Sequence, residues 1–215
     1  MAFNYPVSLE LSGRKAVVVG EDAVAQGKVE GLVAAGATVD VIAERPEPAL
    51  DRLEMNAAVR VFRRPFEGDD LDGAFICIGS GRDQMTRATV FDEARARGVL
   101  VNVMDDPQHC DFAAPAIVRR GELSIAVSTG GRSPALARRL RIDLEERFGP
   151  EWAEILDLLG EVRAGTMARF PDLTERSRRW DTALDVSELE SLVAAGRREE
   201  ARERLLSRLV GRGPS

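Results

Sequence analysis

The period of the apolar residues changes twice along this chain. In the first half, short β-rich runs at 17–19, 39–43, 59–62, 75–78 and 100–103 alternate with helical periodicity at 23–35, 48–56 and 84–97. Such alternation predicts parallel strands joined by right-handed crossovers, an α/β fold with a Rossmann-like, doubly wound parallel sheet. Gly36 and Gly98 each follow a helical stretch and read as C′ glycines. From residue 113 the pattern shifts. Runs at 116–118 and 123–127 flank Arg119-Arg120-Gly121-Glu122 and predict a hairpin, and a helix over 135–148 follows, with Ser133 as N-cap and Pro134 in its first position. After Gly149-Pro150 the chain reads as all-helical. Trp152, Ile155, Leu156, Leu159 and Val162 form one apolar stripe, Phe170-Pro171 ends it, and two more helices are expected at 186–195 and 199–210 before a disordered tail at 211–215. The expected division is a nucleotide-binding domain over 1–112, a small dimerisation segment over 113–150 and a helical C-terminal domain over 151–215.

Composition narrows the function classes. With 215 residues, 44% of them hydrophobic, the chain can bury a real core. A net charge of −6 argues against a general nucleic-acid partner. The basic residues are nearly all arginine, so local clusters suit an anionic small molecule. Cys77 and Cys110 stand far apart and outside any CxxC, which predicts neither a disulfide framework nor a zinc site. His109, the single histidine, leaves too few donors beside Cys110 for a closed metal centre, so no metal ligands are assigned. The opening MAFNYPVSLEL lacks the layout of a signal peptide and no apolar run reaches membrane-spanning length, so a cytoplasmic location is expected, with no membrane partner.

Three segments carry candidate chemistry. The first is KAVVVGEDAVAQGK, residues 15–28. A strand, a glycine turn and a helix present backbone N–H groups to a pyrophosphate, which makes Gly20, Ala23 and Val24 candidate cofactor contacts. Glu44 and Arg45 close the second strand, where an acid would hold the adenine ribose, and Ser80 ends the fourth. Glu21 and Asp22 stand against this reading. Two unit charges about 5 Å apart cost on the order of 3 kcal/mol at an effective dielectric near 20, roughly a hundredfold in affinity. Both acids also suit the first turn of a helix with no ligand at all. The second segment is Asn102-Val103-Met104-Asp105-Asp106-Pro107, at the carboxyl edge of the sheet, where doubly wound folds place ligands. The third is Ser128-Thr129-Gly130-Gly131-Arg132-Ser133, whose small hydroxyls, paired glycines and arginine read as an anion-binding nest.

Together these motifs resemble the precorrin-2 dehydrogenase/sirohydrochlorin ferrochelatase family, the N-terminal module of siroheme synthase. The resemblance covers roughly residues 1–150, through Tyr5-Pro6-Val7, Leu11-Ser12-Gly13-Arg14-Lys15 and above all NVMDDPQHCDFAAPAIVRRGELSIAVSTGGRSPALARRLR, residues 102–141. It implies a homodimer that uses NAD to oxidise precorrin-2 and then inserts Fe2+ (or Co2+) into sirohydrochlorin to make siroheme. It also implies Asp105 as the general base of both steps, and tetrapyrrole carboxylates held by Asn102, Ser128, Thr129, Gly130, Gly131, Arg132 and Ser133. The chain departs from the family where Glu21 and Asp22 replace two glycines and where Gly79-Ser80-Gly81 replaces Ala-Ala-Thr. Two alternatives therefore stand: a chelatase that has lost NAD, and a non-catalytic tetrapyrrole-binding protein.

Overall fold

Apolar β-branched runs this short suit strands of a sheet covered on both faces, and all five form strands of one sheet. The computed structural model describes residues 5–80 and 84–211, which form two units dividing between Ala114 and Pro115. In the first unit β1 (Lys15–Val19), β2 (Thr38–Ile42), β3 (Val59–Phe62), β4 (Ala74–Gly79) and β5 (Leu100–Val103) make one parallel sheet of order β3-β2-β1-β4-β5. Helices α1 (Ala23–Ala34), α2 (Pro48–Leu53) and α3 (Gln84–Arg97) connect the strands, while a single 3-10 turn at Gly68–Leu71 carries the chain from β3 toward β4. The two faces hold separate cores. Val18, Val29, Leu32, Val41 and Leu50 lie on one, and Val17, Ile42, Leu71, Val90 and Val101 on the other. Alternate residues of β1 thus serve opposite faces, as period-2 geometry requires.

Gly36 and Gly98 both take left-handed backbone, φ +84° and +69°, and close their helices as C′ residues. The α2 helix stops at Leu53, before the expected residue 56. Asp40 is a charged residue inside β2, only 6% exposed. It is neutralised by Arg60, its register partner on β3, through bonds of 2.8 and 2.9 Å, with Lys15 at 3.6 Å. Beside it, Asp70 accepts two bonds from Arg64, at 2.9 and 2.5 Å, and one from the Glu67 N–H.

The second unit opens with the antiparallel hairpin β6 (Ala116–Arg120) and β7 (Leu123–Val127), turned at Gly121, φ +56°. Helix α4 (Pro134–Arg147) packs on this hairpin. Four helices follow: α5 (Glu151–Met167), α6 (Leu173–Ala183), α7 (Val186–Ala194) and α8 (Arg198–Val210), around Ile155, Leu158, Val162, Leu192, Leu205 and Leu209. The sequence pattern missed α6. Its surface is mostly charged, its one buried residue is Ala183, and its clearest signal is the Asp172 N-cap, whose carboxylate accepts the Glu175 N–H at 2.7 Å. The expected disorder at 212–215 lies outside the described residues.

Two stability predictions follow from these contacts. Gly27 and Gly31 sit inside α1 with nothing within 4 Å of an added Cβ. Replacing each by Ala should stabilise the protein by about 0.5–1 kcal/mol, a rise of roughly 2–4 °C in Tm per kcal/mol by calorimetry. Burial acts to raise the Asp70 carboxyl pKa, but the Arg64 hydrogen bonds, the Glu67 N–H and the nearby positive charges outweigh it and leave the pKa lowered. A lowered folded pKa gives stability that is present above the unfolded carboxyl value, near 3.9, and lost as pH falls through the folded one. Asp70→Asn should therefore cost roughly 1–2 kcal/mol near neutral pH, and that cost should shrink in denaturant titrations as pH drops below about 4.

Candidate functional site

The strand order reverses between β1 and β4, so the crossovers that follow these neighbours leave toward opposite edges of the sheet. A crevice opens at such a switch point, outside the carboxyl ends of the strands. Here it is a cleft of about 580 Å³ whose walls include Gly20, Glu21, Asp22, Glu44, Arg45 and Ser80. The chain is pinned on both sides. Gly20 donates its N–H to the Ile42 carbonyl at 3.0 Å, and Ser80 donates its own to Val19 at 2.8 Å. A Cβ on Gly20 would sit 1.8 Å from Ser80 Oγ and 3.2 Å from the Ala25 Cβ, so a larger residue here would have to turn the Ser80 hydroxyl away and shift Ala25 by a few tenths of an ångström. Ala23 and Val24 begin α1 and are exposed. Gly81, named in the sequence comparison with Ser80, lies outside the described residues.

The two acids of this loop are both engaged. Asp22 is the N-cap of α1, and its Oδ1 accepts the N–H groups of Val24 and Ala25, each at 3.1 Å. Glu21 reaches across to the loop after β2, where its Oε1 accepts the Arg45 N–H at 2.8 Å. The bond to Arg45, 24 residues away, could not be read from sequence. The residues fit NAD at the glycine turn and at Glu44, the acid at the end of β2. At the helix N-terminus the fit requires Asp22 to yield the amides it now occupies.

Asp105 follows β5 on the same carboxyl edge, and the Met104 N–H donates to the Gly79 carbonyl at 2.8 Å. Asp105 is exposed, with φ +60°, the one non-glycine residue with positive φ among those described. Left-handed backbone in a non-glycine residue costs about 1–2 kcal/mol and persists where the surroundings over-determine it. They do so here. The Cys110 sulfur accepts the Val103 N–H at 3.2 Å and lies 3.2 Å from the Asp106 carbonyl. Asp106 Oδ2 meets His109 Nδ1 at 2.7 Å, and the His109 ring stands edge-on to Phe91. Asn102 is buried and donates its amide to the Phe112 carbonyl at 2.8 Å, so its side chain secures the far end of the same loop. His109 is half-buried and braces the loop. Burial pushes the Cys77 thiol up to about 12, and burial likewise raises Cys110, so both sulfurs are packing groups.

The loop before α4 is folded largely on itself. Ser128 Oγ accepts the Gly130 N–H at 3.2 Å, Thr129 Oγ1 accepts that of Ser133 at 3.1 Å, and the Thr129 carbonyl accepts that of Arg132 at 3.1 Å. Ser133 caps α4 through the Leu136 N–H, as its sequence implies. Gly130 and Gly131 are both left-handed, φ +59° and +79°. The hydroxyls thus bond amides of the turn itself, and the Arg132 side chain is exposed.

The second unit has a larger concavity, about 730 Å³, walled by Leu156, Leu159, Trp180 and Leu184 with Arg163 and Arg198. Arg198 is already bonded to Glu161 at 2.7 Å, and none of the candidate cofactor, substrate or catalytic residues lines this hollow. The cleft at the switch point is the better candidate. Among the described residues no set of three His, Cys, Asp or Glu is arranged to hold a metal ion, and no helix is long and apolar enough to cross a membrane.

Comparison with known proteins places this geometry. Residues 7–116 match the family described as "Putative NAD(P)-binding", and residues 120–147 match "Sirohaem biosynthesis protein central". The chain belongs to this NAD(P)-binding family, as the N-terminal module of siroheme synthase. It is 34% identical over 200 residues to siroheme synthase 1 of Serratia proteamaculans (strain 568), covering 93% of this chain and 42% of that protein. It is 35% identical over 209 residues to the siroheme synthase of Stutzerimonas stutzeri (strain A1501), covering 97% and 45%. The chain thus spans less than half the length of these relatives. A solved structure, SirC, a precorrin-2 dehydrogenase, superimposes with a TM-score of 0.68 at 25% identity, covering 95% of this chain and 98% of that one. The Rossmann-like fold and the siroheme synthase family expected from the sequence are both borne out.

The strain at Asp105 gives a prediction that needs no substrate. Asp105→Gly should raise stability by about 1 kcal/mol, because glycine takes left-handed backbone freely. Asp105→Asn should leave it near the parent's, since Asn also tolerates that region. Denaturant unfolding of the two variants beside the parent checks the difference.

Proposed function

We propose that this protein oxidises precorrin-2 to sirohydrochlorin with NAD, in siroheme biosynthesis. The observation that carries the reading is Asp105: a carboxylate held in strained backbone at the carboxyl edge, in the unit whose switch-point cleft has a dinucleotide site's glycine turn and ribose acid. Similarity to siroheme synthases and to SirC supports it. Bound NAD would supply the hydride acceptor, held at Gly20, Ala23, Val24, Glu44, Arg45 and Ser80. The chain's own part is to orient the substrate and to take up the proton released when hydride leaves, which is work for a general base. Asp105 has that role. Arg132 and its loop, Ser128 to Ser133, offer charge and shape for the carboxylates of a polyanionic tetrapyrrole, and Asn102 acts through the loop it secures.

A second activity fits the same carboxylate. Inserting Fe2+ or Co2+ into sirohydrochlorin removes two pyrrole protons, which Asp105 would accept, and an exposed carboxylate can guide a hydrated divalent ion without a closed cage. The engagement of Asp22 with the α1 amides is the observation behind the alternative reading, in which metal insertion is kept and NAD binding is lost. The reading also includes a homodimer in the cytoplasm. Helix α4 buries only Ala137 and leaves Leu136 (50% exposed) and Leu140, one turn apart, open on one face that a second copy would cover.

Incubating the parent and Asp105→Asn with precorrin-2 and NAD+, and following NADH by absorbance, tests the dehydrogenase. The parent is expected to produce NADH, and the variant to be slower by roughly 100-fold or more, the usual worth of a general base. Equal rates would remove Asp105 from the mechanism. Metal insertion by the same pair, followed by the tetrapyrrole spectrum, separates the chelatase from a mere tetrapyrrole carrier, which would show no dependence on Asp105.

A further inference from the structure

Glu21 and Asp22 make contacts that together exceed what helix capping needs. An aspartate N-cap accounts for Asp22 alone. It does not account for Glu21, whose carboxylate leaves its own helix to take the Arg45 N–H at 2.8 Å while its carbonyl accepts the Glu47 N–H at 2.9 Å. The two acids thereby bind donors on both sides of one cleft, the α1 amides and the amide that follows the ribose acid Glu44. Glu44 and Glu47 line the same space, so four carboxylates surround it. Of the two arginines there, Arg64 is already held by Asp70.

We propose that Glu21 and Asp22 are built-in surrogates for the cofactor's pyrophosphate. They satisfy the loop in its empty form, and NAD must displace Asp22 from Val24 and Ala25 before it can seat. This inference rests on the reading of the cleft as the cofactor site. The physical basis is direct exchange of one anion for another at the same two N–H groups. The entering phosphates lose the part of the helix-terminus attraction that Asp22 already satisfies. They also meet two carboxylates in a cleft only partly screened by water. The consequence is a weak, readily exchanged cofactor site in which the acids set affinity and leave the fold intact.

The test is calorimetric titration of NAD+ into the parent, Glu21→Gly, Asp22→Gly, the double glycine variant and Asp22→Ser, with thermal unfolding of each to confirm folding. Asp22→Ser keeps a neutral helix cap and so guards against loss of α1. The parent should bind weakly, in about the millimolar range. The double variant should bind roughly tenfold to hundredfold more tightly, after allowing for solvent screening of exposed acids, with Asp22→Ser also tighter than the parent. Equal and tight binding by all five proteins would overturn the inference and leave the dehydrogenase reading standing. No binding by any of them would overturn both, since removing the acids would not have restored a cofactor site.

Discussion

β1 and β4 lie side by side, and the chain leaves them toward opposite edges of the sheet. That divergence is a consequence of handedness. Right-handed crossovers on either side of a first strand must carry their helices to opposite faces, so the carboxyl ends of the two central strands are left uncovered. Gly20 leaves that approach free of a side chain beside Ser80 and Ala25. The close approach brings the start of α1, Glu44 after β2 and the loop after β4 to one rim, and the loop after β5 is tied to the same edge through Met104 and Gly79.

With the geometry set, charge decides what the cleft can hold. A glycine-rich turn offers unspent amides to a ligand. This turn spends two of them on Asp22, while the Glu21 carboxylate accepts the Arg45 N–H of the neighbouring loop. Such bonds stabilise the protein without ligand, because charge-assisted hydrogen bonds to N–H groups are stronger than neutral ones. The same bonds weaken any anion that would replace them. Stability of the empty loop and affinity for a pyrophosphate are therefore opposed at the same atoms, whereas the Asp40–Arg60 pair within the sheet faces no such conflict.

Much of this was legible in the sequence where a local rule decides the outcome. The strands are apolar because both of their faces are buried, and Gly36, Gly98 and Ser133 end or begin helices through bonds spanning only a few residues. Where long-range contacts decide, the pattern was silent. Helix α6 is polar along most of its length and is held by one buried alanine and a partly buried Trp180, so it has too few apolar residues to stand out by itself. The Glu21 bond to Arg45 depends on the register of β1 against β2, which no short window contains. The loop at residues 128–133 has the composition of an anion nest, yet composition cannot say whether its hydroxyls face a ligand or the loop's own amides.

Asp105 shows what legibility by residue type leaves out. Adjacent acids before a proline are a common way to start a turn, and the pattern alone could not separate that from catalysis. The backbone adds an observation that residue type lacks: Asp105 is left-handed, and its loop is closed from both ends, since Cys110 bonds Val103 and approaches Asp106, His109 braces Asp106, and Asn102 holds Phe112. These contacts are made by its neighbours, and they fix the backbone conformation of a residue whose own carboxylate stays exposed. Stored strain of about 1–2 kcal/mol that stabilises nothing in the fold is most simply understood as the cost of presenting that carboxylate in one orientation at the edge of the sheet. The lone histidine and the two cysteines then need no chemistry of their own: Cys77 fills the core, while Cys110 and His109 hold the loop that carries Asp105.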